Sequence, residues 1–249
     1  MTRRPLDDVS ALVADVDGWL SPDQIARLYD SAAATRPGQQ IVEIGSFRGR
    51  STIVLANAAP PGVAIVAIDP HAGTDRGPQA LRGYQAEAAD DHEVFIANLA
   101  AAGVADRVRH VRAFSDHAHG EVGGPISLLF IDGAHRYSPA RSDIHAWGGR
   151  VEDGGTMLLH DSFSSIGVTM AICRELMFSA RFRYVGRSRS LAEFRADLDG
   201  GLRSRATNAF HQAVELPWFV KNLALKVLLT LHLGLVISWF TGRQPEWPY

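Results

Sequence analysis

Two polar clusters carry the side chains that could do acid–base or metal chemistry. The first is Asp132-Gly133-Ala134-His135-Arg136-Tyr137 and the second is His160-Asp161-Ser162. Each follows an apolar stretch, 126–131 and 156–159, of the kind expected for a strand buried on both faces. Parallel strands of one sheet present their carboxyl ends on one rim. Asp132, His135, His160 and Asp161 are therefore expected to converge despite their separation in sequence. Two carboxylates and a histidine suit a divalent cation: the carboxylates favour Mg²⁺ or Mn²⁺, and imidazole also admits Zn²⁺. A histidine, with an unperturbed pKa of roughly 6.5, is also a suitable proton acceptor near neutral pH. Plainer roles compete. A strand-end Asp before Gly makes a turn, His135 can cap the next helix, Tyr137 can be core, and His160 can simply pack at the rim.

These groups need a scaffold, and the stretch Ile41-Val42-Glu43-Ile44-Gly45-Ser46-Phe47-Arg48-Gly49-Arg50-Ser51 supplies its first piece. It reads as a buried strand (41–44), a glycine turn and a helix (51–58). Such a turn places backbone N–H groups at a helix N-terminus, where they bind an anionic group. Gly45 permits angles that a Cβ forbids, and Gly49 allows close approach to a ligand. In the dinucleotide fingerprint Gly-x-Gly-x-x-Gly, Phe47 and Arg50 would occupy the second and third glycine positions, which argues against NAD or FAD. The competing reading is an ordinary α/β turn. A second strand, 64–68, ends on Asp69, 24 residues after Gly45. An acid at that tip can accept ribose hydroxyl hydrogens, or merely start a loop.

Helix signals fill the intervals. Ser21-Pro22-Asp23 is a helix start with Ser as N-cap and Pro first in the helix. Residues 71–91 read as a loop and a short helix, with His71 and Arg76 either touching substrate or exposed. A helix at 93–102 ends at Gly103. Strand 107–112 is followed by Phe114-Ser115-Asp116, and His117 and His119 are expected to be solvated. Residues 152–155 read as a turn, and 182–185 with 190–195 as a closing antiparallel pair. The whole is an α/β fold: a Rossmann-like, doubly wound sheet of seven mostly parallel strands with the last antiparallel. Residues 1–198 form the domain, with 1–40 as a helical cover.

With 249 residues, 46% hydrophobic and 21% charged, the chain can bury one ordinary core. A formal charge of −2 gives no reason to propose nucleic acid as a partner. The single cysteine, Cys173, reads as helix packing, and no apolar leader opens the chain, so a cytoplasmic location is expected.

Glu43-x-Gly45-x-x-x-Gly49 resembles the first motif of class I S-adenosylmethionine-dependent methyltransferases. Asp132-Gly133-x-His135-x-Tyr137, the later Asp143, Gly154-Gly155 and His160-Asp161 narrow the resemblance to a bacterial group. This group holds macrocin-type and sugar O-methyltransferases and cephalosporin-hydroxylase-like proteins, and the likeness runs from about Gly18 to Phe194. It implies that Glu43, Gly45, Ser46, Gly49 and Ser51 line the amino-acid end of S-adenosylmethionine. Asp69 would hold its ribose and Ser115 its adenine, although a Ser-Asp helix cap explains Ser115 equally well. Asp132 would touch the cofactor, bind metal with His160 and Asp161, and act in catalysis with His135 as base. His160 departs from the usual carboxylate at its position, which opens a second acid–base role for it. The implied reaction is methyl transfer to a hydroxyl of a sugar or glycan. The alternatives are another small molecule, phenolic or macrolide, or a non-catalytic, membrane-attached cofactor-binding module.

Residues 199–249 form an apolar appendage. Within 218–240, Asn222, Lys226, Thr230, Gly234 and Ser238 recur every four residues, a narrow polar stripe on a helix. Such a helix would run about 34 Å. Three readings follow: peripheral membrane contact, a membrane span, or a homodimer interface.

Overall fold

The computed structural model describes residues 3–73 and 90–230. Two helices, α1 (Leu6–Leu12) and α2 (Pro22–Ala33), precede β1 (Gln40–Ile44), α3 (Arg50–Ala58) and β2 (Ala64–Ile68). Then come α4 (Asp91–Ala101), β3 (Val108–Val111), β4 (Ile126–Ile131), α5 (Tyr137–Gly148), β5 (Val151–Leu159) and α6 (Ile166–Glu175). The hairpin β6 (Arg183–Ser188) and β7 (Leu191–Arg195) is followed by α7 (Leu202–Ala213) and α8 (Leu216–Thr230). The expected helix in 71–91 and the candidate Arg76 lie outside the described residues, apart from the ends of that stretch.

The seven strands form one sheet in the order β3-β2-β1-β4-β5-β7-β6. β1 pairs in parallel with both β2 and β4, and β7 runs antiparallel to β5 and β6. The expected architecture is thus observed. Alternation along the strands explains its two cores. Val42, Ile44, Leu129 and Ile131 face Ala140, Ile144 and Trp147 of α5 and Val168 and Ile172 of α6. Ile41, Ile65, Leu128 and Phe130 face α1 to α4 on the other side. The chain turns back between β1 and β4, and in such sheets ligands bind beyond the strand ends at that point.

Two local expectations change. Residues 152–155 are not a free turn. They sit inside β5 as a bulge, between the pairs Ile126–Val151 and Leu128–Thr156. Their backbone is satisfied across the sheet, with Gly154 N bonded to Ala196 O (2.8 Å) and Ala196 N to Gly155 O (2.9 Å). His119 is not simply solvated: its ring stacks on Trp147 at 4.3 Å. The start of α2 is as expected: Ser21 is the N-cap, Pro22 opens the helix, and Ser21 N donates to Gln24 Oε1 (2.8 Å) in a capping box.

The C-terminal helices pack onto the domain. Tyr184 N donates to Asn208 Oδ1, and Gln212 Nε2 donates to Leu176 O. On α8 the first two residues of the polar stripe face inward: Asn222 Nδ2 donates to Phe163 O, and Lys226 Nζ to Ser164 O and Oγ. Trp218 lies 3.8 Å beneath the Arg187 guanidinium. Among the described residues no helix is long and apolar enough to cross a membrane. The expected helix beyond 230 lies outside them.

Candidate active site

A cavity of about 1160 Å³ opens at the carboxyl ends of β1, β2, β4 and β5. The glycine loop forms one side. Gly45 has φ +85°, and an added Cβ would stand 2.3 Å from the carbonyl oxygen of Asp132. Glycine is therefore needed both for the turn and for the contact between the tips of β1 and β4. Gly49 caps α3 at φ +90° and packs on Phe95, so its role is conformational. It does not reach the cavity wall, whereas Gly45, Ser46 and Ser51 do.

Asp69 organises the loop. Its Oδ2 accepts from the N–H groups of Ser46 and Phe47 (both 2.8 Å), and its Oδ1 from that of His71 (2.7 Å). A carboxylate offers about four lone-pair sites, so roughly one remains for a ribose hydroxyl. Phe47 and His71 adopt left-handed angles, φ +46° and +49°. Non-glycine residues held this way concentrate at functional sites. The Trp19 ring packs against Phe47, tilted by 32° with centroids 5.1 Å apart, and Arg50 Nη1 donates to the carbonyls of Val16 and Gly18. The segment before α2 thereby roofs the loop.

Glu43 lies beneath the loop, fully buried and off the cavity wall. Thr52 Oγ1 donates to its Oε2 at 2.5 Å, while Oε1 has no hydrogen-bond partner among the described residues. Burial, opposed by the Ser51 and Thr52 hydrogen bonds, pushes its pKa to about 8. Of the residues expected along the cofactor's amino-acid end, Gly45, Ser46 and Ser51 line the cavity and Glu43 supports the loop from below. His71 is buried against Phe95, His92 and His110, neither exposed nor hydrogen-bonded at its ring nitrogens among the described residues. Burial lowers its pKa to about 4.

Beyond β3, Ser115 Oγ donates to Asp143 Oδ1 at 2.5 Å, and both line the cavity. Burial raises the Asp143 carboxyl to about 6, although this hydrogen bond opposes the shift. Asp143 is visible in the sequence without a role; only the packing of α5 reveals its partner.

The other side brings the polar clusters together. His135 Nε2 lies 2.6 Å from Asp161 Oδ2. His160 Nδ1 lies 3.0 Å from Asp132 Oδ1 and 3.4 Å from Asp161 Oδ2, off the line of a hydrogen bond. Burial works against charge on both histidines. The Asp161 hydrogen bond and charge outweigh it at His135, and Asp132 and Asp161 together outweigh it at His160, so both pKa values rise. Asp161 is held well below the usual carboxylate range: burial opposes this, but His160 and His135 overcome it. Asp161 sits at φ +55°, where the chain reverses after β5 and Ser165 N bonds back to its carbonyl.

Asp132, His135 and Asp161 each offer a ligand atom within 4.8 Å of the others. This trio fits a divalent cation. It contains His135, whereas the expected set held His160, which lies almost fully buried behind the two carboxylates. Tyr137 is exposed at the cavity mouth and not in the core. Two further contributions escape sequence reading. A Cβ on Gly167 would stand 2.2 Å from His135 O, so this glycine lets α6 press against the His135 loop. Leu223, Lys226 and Val227 of α8 enter the cavity wall. A glycine opening a helix and the four-residue polar stripe are their only signals.

Residues 42–162 match the family model described as a methyltransferase domain. Among solved structures, cofactor-bound Rv0187 from MTB aligns with a TM-score of 0.51 and 21% identity, over 79% of this chain and 90% of that one. The O-methyltransferase TomG from Streptomyces achromogenes, involved in tomaymycin synthesis and solved with SAM, gives 0.50 and 20%, over 76% and 86%. The O-methyltransferase NovP gives 0.58 and 14%, over 71% and 81%. At these identities the likeness is one of fold. Residues 42–162 thus match a methyltransferase domain, in a chain that shares the Rossmann-like fold of solved methyltransferases.

Proposed function

We propose that this protein moves the methyl group of S-adenosylmethionine to a hydroxyl of a small-molecule acceptor, and that this hydroxyl belongs to a sugar or glycan. One observation carries the reading: the Asp69-braced loop and the His135–Asp161 pair line the same cavity. That TomG and NovP are O-methyltransferases supports O-methyl transfer, and the resemblance to sugar O-methyltransferases supports the acceptor class.

The residues fit the cofactor. We assign Ser46 and Ser51 to its amino-acid end, Asp69, through the lone pair it keeps, to its ribose, and Ser115 with Asp143 to its adenine. S-adenosylmethionine supplies an electrophilic methyl on a cationic sulfur. The chain must remove the acceptor's proton and exclude water. Because Asp161 takes the Nε2–H of His135, the neutral imidazole keeps its lone pair on Nδ1, the atom that accepts the hydroxyl proton. Asp161 then holds the imidazolium in place. A divalent cation held by Asp132 and Asp161, with Mg²⁺ or Mn²⁺ favoured, would lower the hydroxyl pKa. His135 cannot be ligand and base at once, so we assign it the proton. The outward face of α8, with Val220 and Leu228 exposed, is the surface for peripheral membrane contact or a homodimer.

Calorimetry with S-adenosylmethionine, with and without Mg²⁺, tests the core of this reading. Micromolar binding supports it, and absence of binding in both conditions overturns it.

A further inference from the structure

We infer that the acceptor carries an apolar body beside its reactive hydroxyl, and that α6 and α8 build the wall that receives it. This rests on the methyl-transfer reading above and names the substrate more narrowly. Six of the fourteen large apolar side chains that stand exposed among the described residues line this cavity: Trp19, Phe114, Tyr137, Ile166, Met170 and Val227. Scattered exposed apolar residues need no explanation, but a group gathered in a cavity marks a ligand surface.

These six divide between the two sides. Trp19 packs against Phe47 of the glycine loop, and Phe114 adjoins Ser115. The other four stand with His135 and Asp161. Tyr137 follows His135 by two residues. Ile166 and Met170 share one face of α6, a single turn apart. Gly167, between them, is pressed onto the backbone of His135 to Tyr137. Val227 follows Lys226, whose ammonium is bound to Ser164, three residues beyond Asp161. On this half the His135–Asp161 pair, with the Ser164–Lys226 contact beside it, is flanked by the apolar side chains of Tyr137, Ile166, Met170 and Val227.

A free monosaccharide fits this poorly. It presents a hydroxyl on nearly every carbon, and a buried hydroxyl without a partner is disfavoured. A hydroxylated ring joined to an alkyl or aryl body fits, with the hydroxyl at His135 and the body against Met170 and Val227. The inferred acceptor is an amphipathic glycoside and not a free sugar.

Methyl β-D-glucoside and octyl β-D-glucoside share their hydroxyls and differ in the apolar body. Each is titrated, below the micelle concentration, into protein saturated with S-adenosylhomocysteine. The octyl compound should bind at least tenfold tighter, and Met170→Gln and Val227→Gln should each cut that preference at least threefold without lowering Tm. Equal affinities, no octyl binding, or a preference that survives both substitutions would overturn the inference. If protein and not ligand covers this face, Met170→Gln lowers Tm and leaves the preference unchanged, which overturns it as well. Failure of S-adenosylhomocysteine to bind counts against the methyl-transfer reading alone. The glucoside comparison is then run on cofactor-free protein and judged by the same outcomes.

Discussion

On the glycine-loop side of the cavity one carboxylate, Asp69, is held by three backbone N–H groups, whereas on the far side two carboxylates, Asp132 and Asp161, face two imidazoles. Backbone donors do not titrate and cannot leave, so the first arrangement is a fixed cradle. Imidazoles can take up and release a proton, so the second arrangement can change its charge as a reaction proceeds. Under the proposed function, the same molecule separates holding from chemistry. It places the two across the contact between β1 and β4, where Gly45 meets Asp132.

Substitutions on either side test that separation. The largest effect is expected from His135→Ala, which should lower methyl transfer by roughly 10²- to 10⁴-fold. Cofactor affinity, read by calorimetry, should stay within about threefold. Unchanged turnover would remove His135 from its role, and a non-catalytic binding module would become the better reading.

Next come two glycines that sharpen the comparison. Gly45→Ala and Gly167→Ala each drive a Cβ into backbone, 2.3 Å from Asp132 O and 2.2 Å from His135 O. Each should destabilise by about 1–3 kcal/mol in thermal unfolding. Gly45→Ala should also weaken cofactor binding, while Gly167→Ala should spare binding and reduce turnover. If both variants lose binding equally, the two sides are not separable.

Asp69→Asn removes the charge that three N–H groups converge on. Hydrogen bonds to charged groups contribute about 1.5–3 kcal/mol, so cofactor affinity should fall about tenfold, with little change in the pH dependence of turnover. A change in that profile would show that the fixed side also takes part in proton transfer.

The smallest effect concerns the buried acid below the loop. Glu43 has a folded pKa of about 8 against an ordinary 4.5, so the folded state binds its proton more tightly. Its contribution is fully present below pH 4.5 and is lost as pH rises through 8. Glu43→Gln should therefore gain in Tm over the wild type by a few degrees as pH rises from about 5 to about 9. A constant difference would mean that Glu43 is ionised when folded. His71 has the opposite sign. Its folded pKa of about 4 lies below the ordinary 6.5, so stability is lost as pH falls from 6.5 toward 4.

Much of this is legible in the chain. The apolar runs at β1, β2, β4 and β5 mark buried parallel strands, and the residues at their ends mark one rim. That places Asp69, Asp132, His135, His160 and Asp161 near one another without coordinates. The bulge in β5 is not legible, because Glu152-Asp153-Gly154-Gly155 has the composition of a turn, and only β7 supplies the partners that keep it in the sheet. The polar stripe of α8 is plain in the sequence, but its direction is not. Asn222 and Lys226 read equally well as a solvent face, and only their bonds to Phe163 and Ser164 show the domain beneath them.

By itself the sequence determined which residue types stand at strand ends and where glycine is required, because periodicity and backbone freedom are local properties of the chain. The tertiary structure alone decided which of those groups meet. It gave the Asp69 carboxylate to backbone donors, put Glu43 below the cavity, paired His135 with Asp161, and turned α8 into a wall. Those outcomes depend on distances between segments far apart in the chain, and packing sets them.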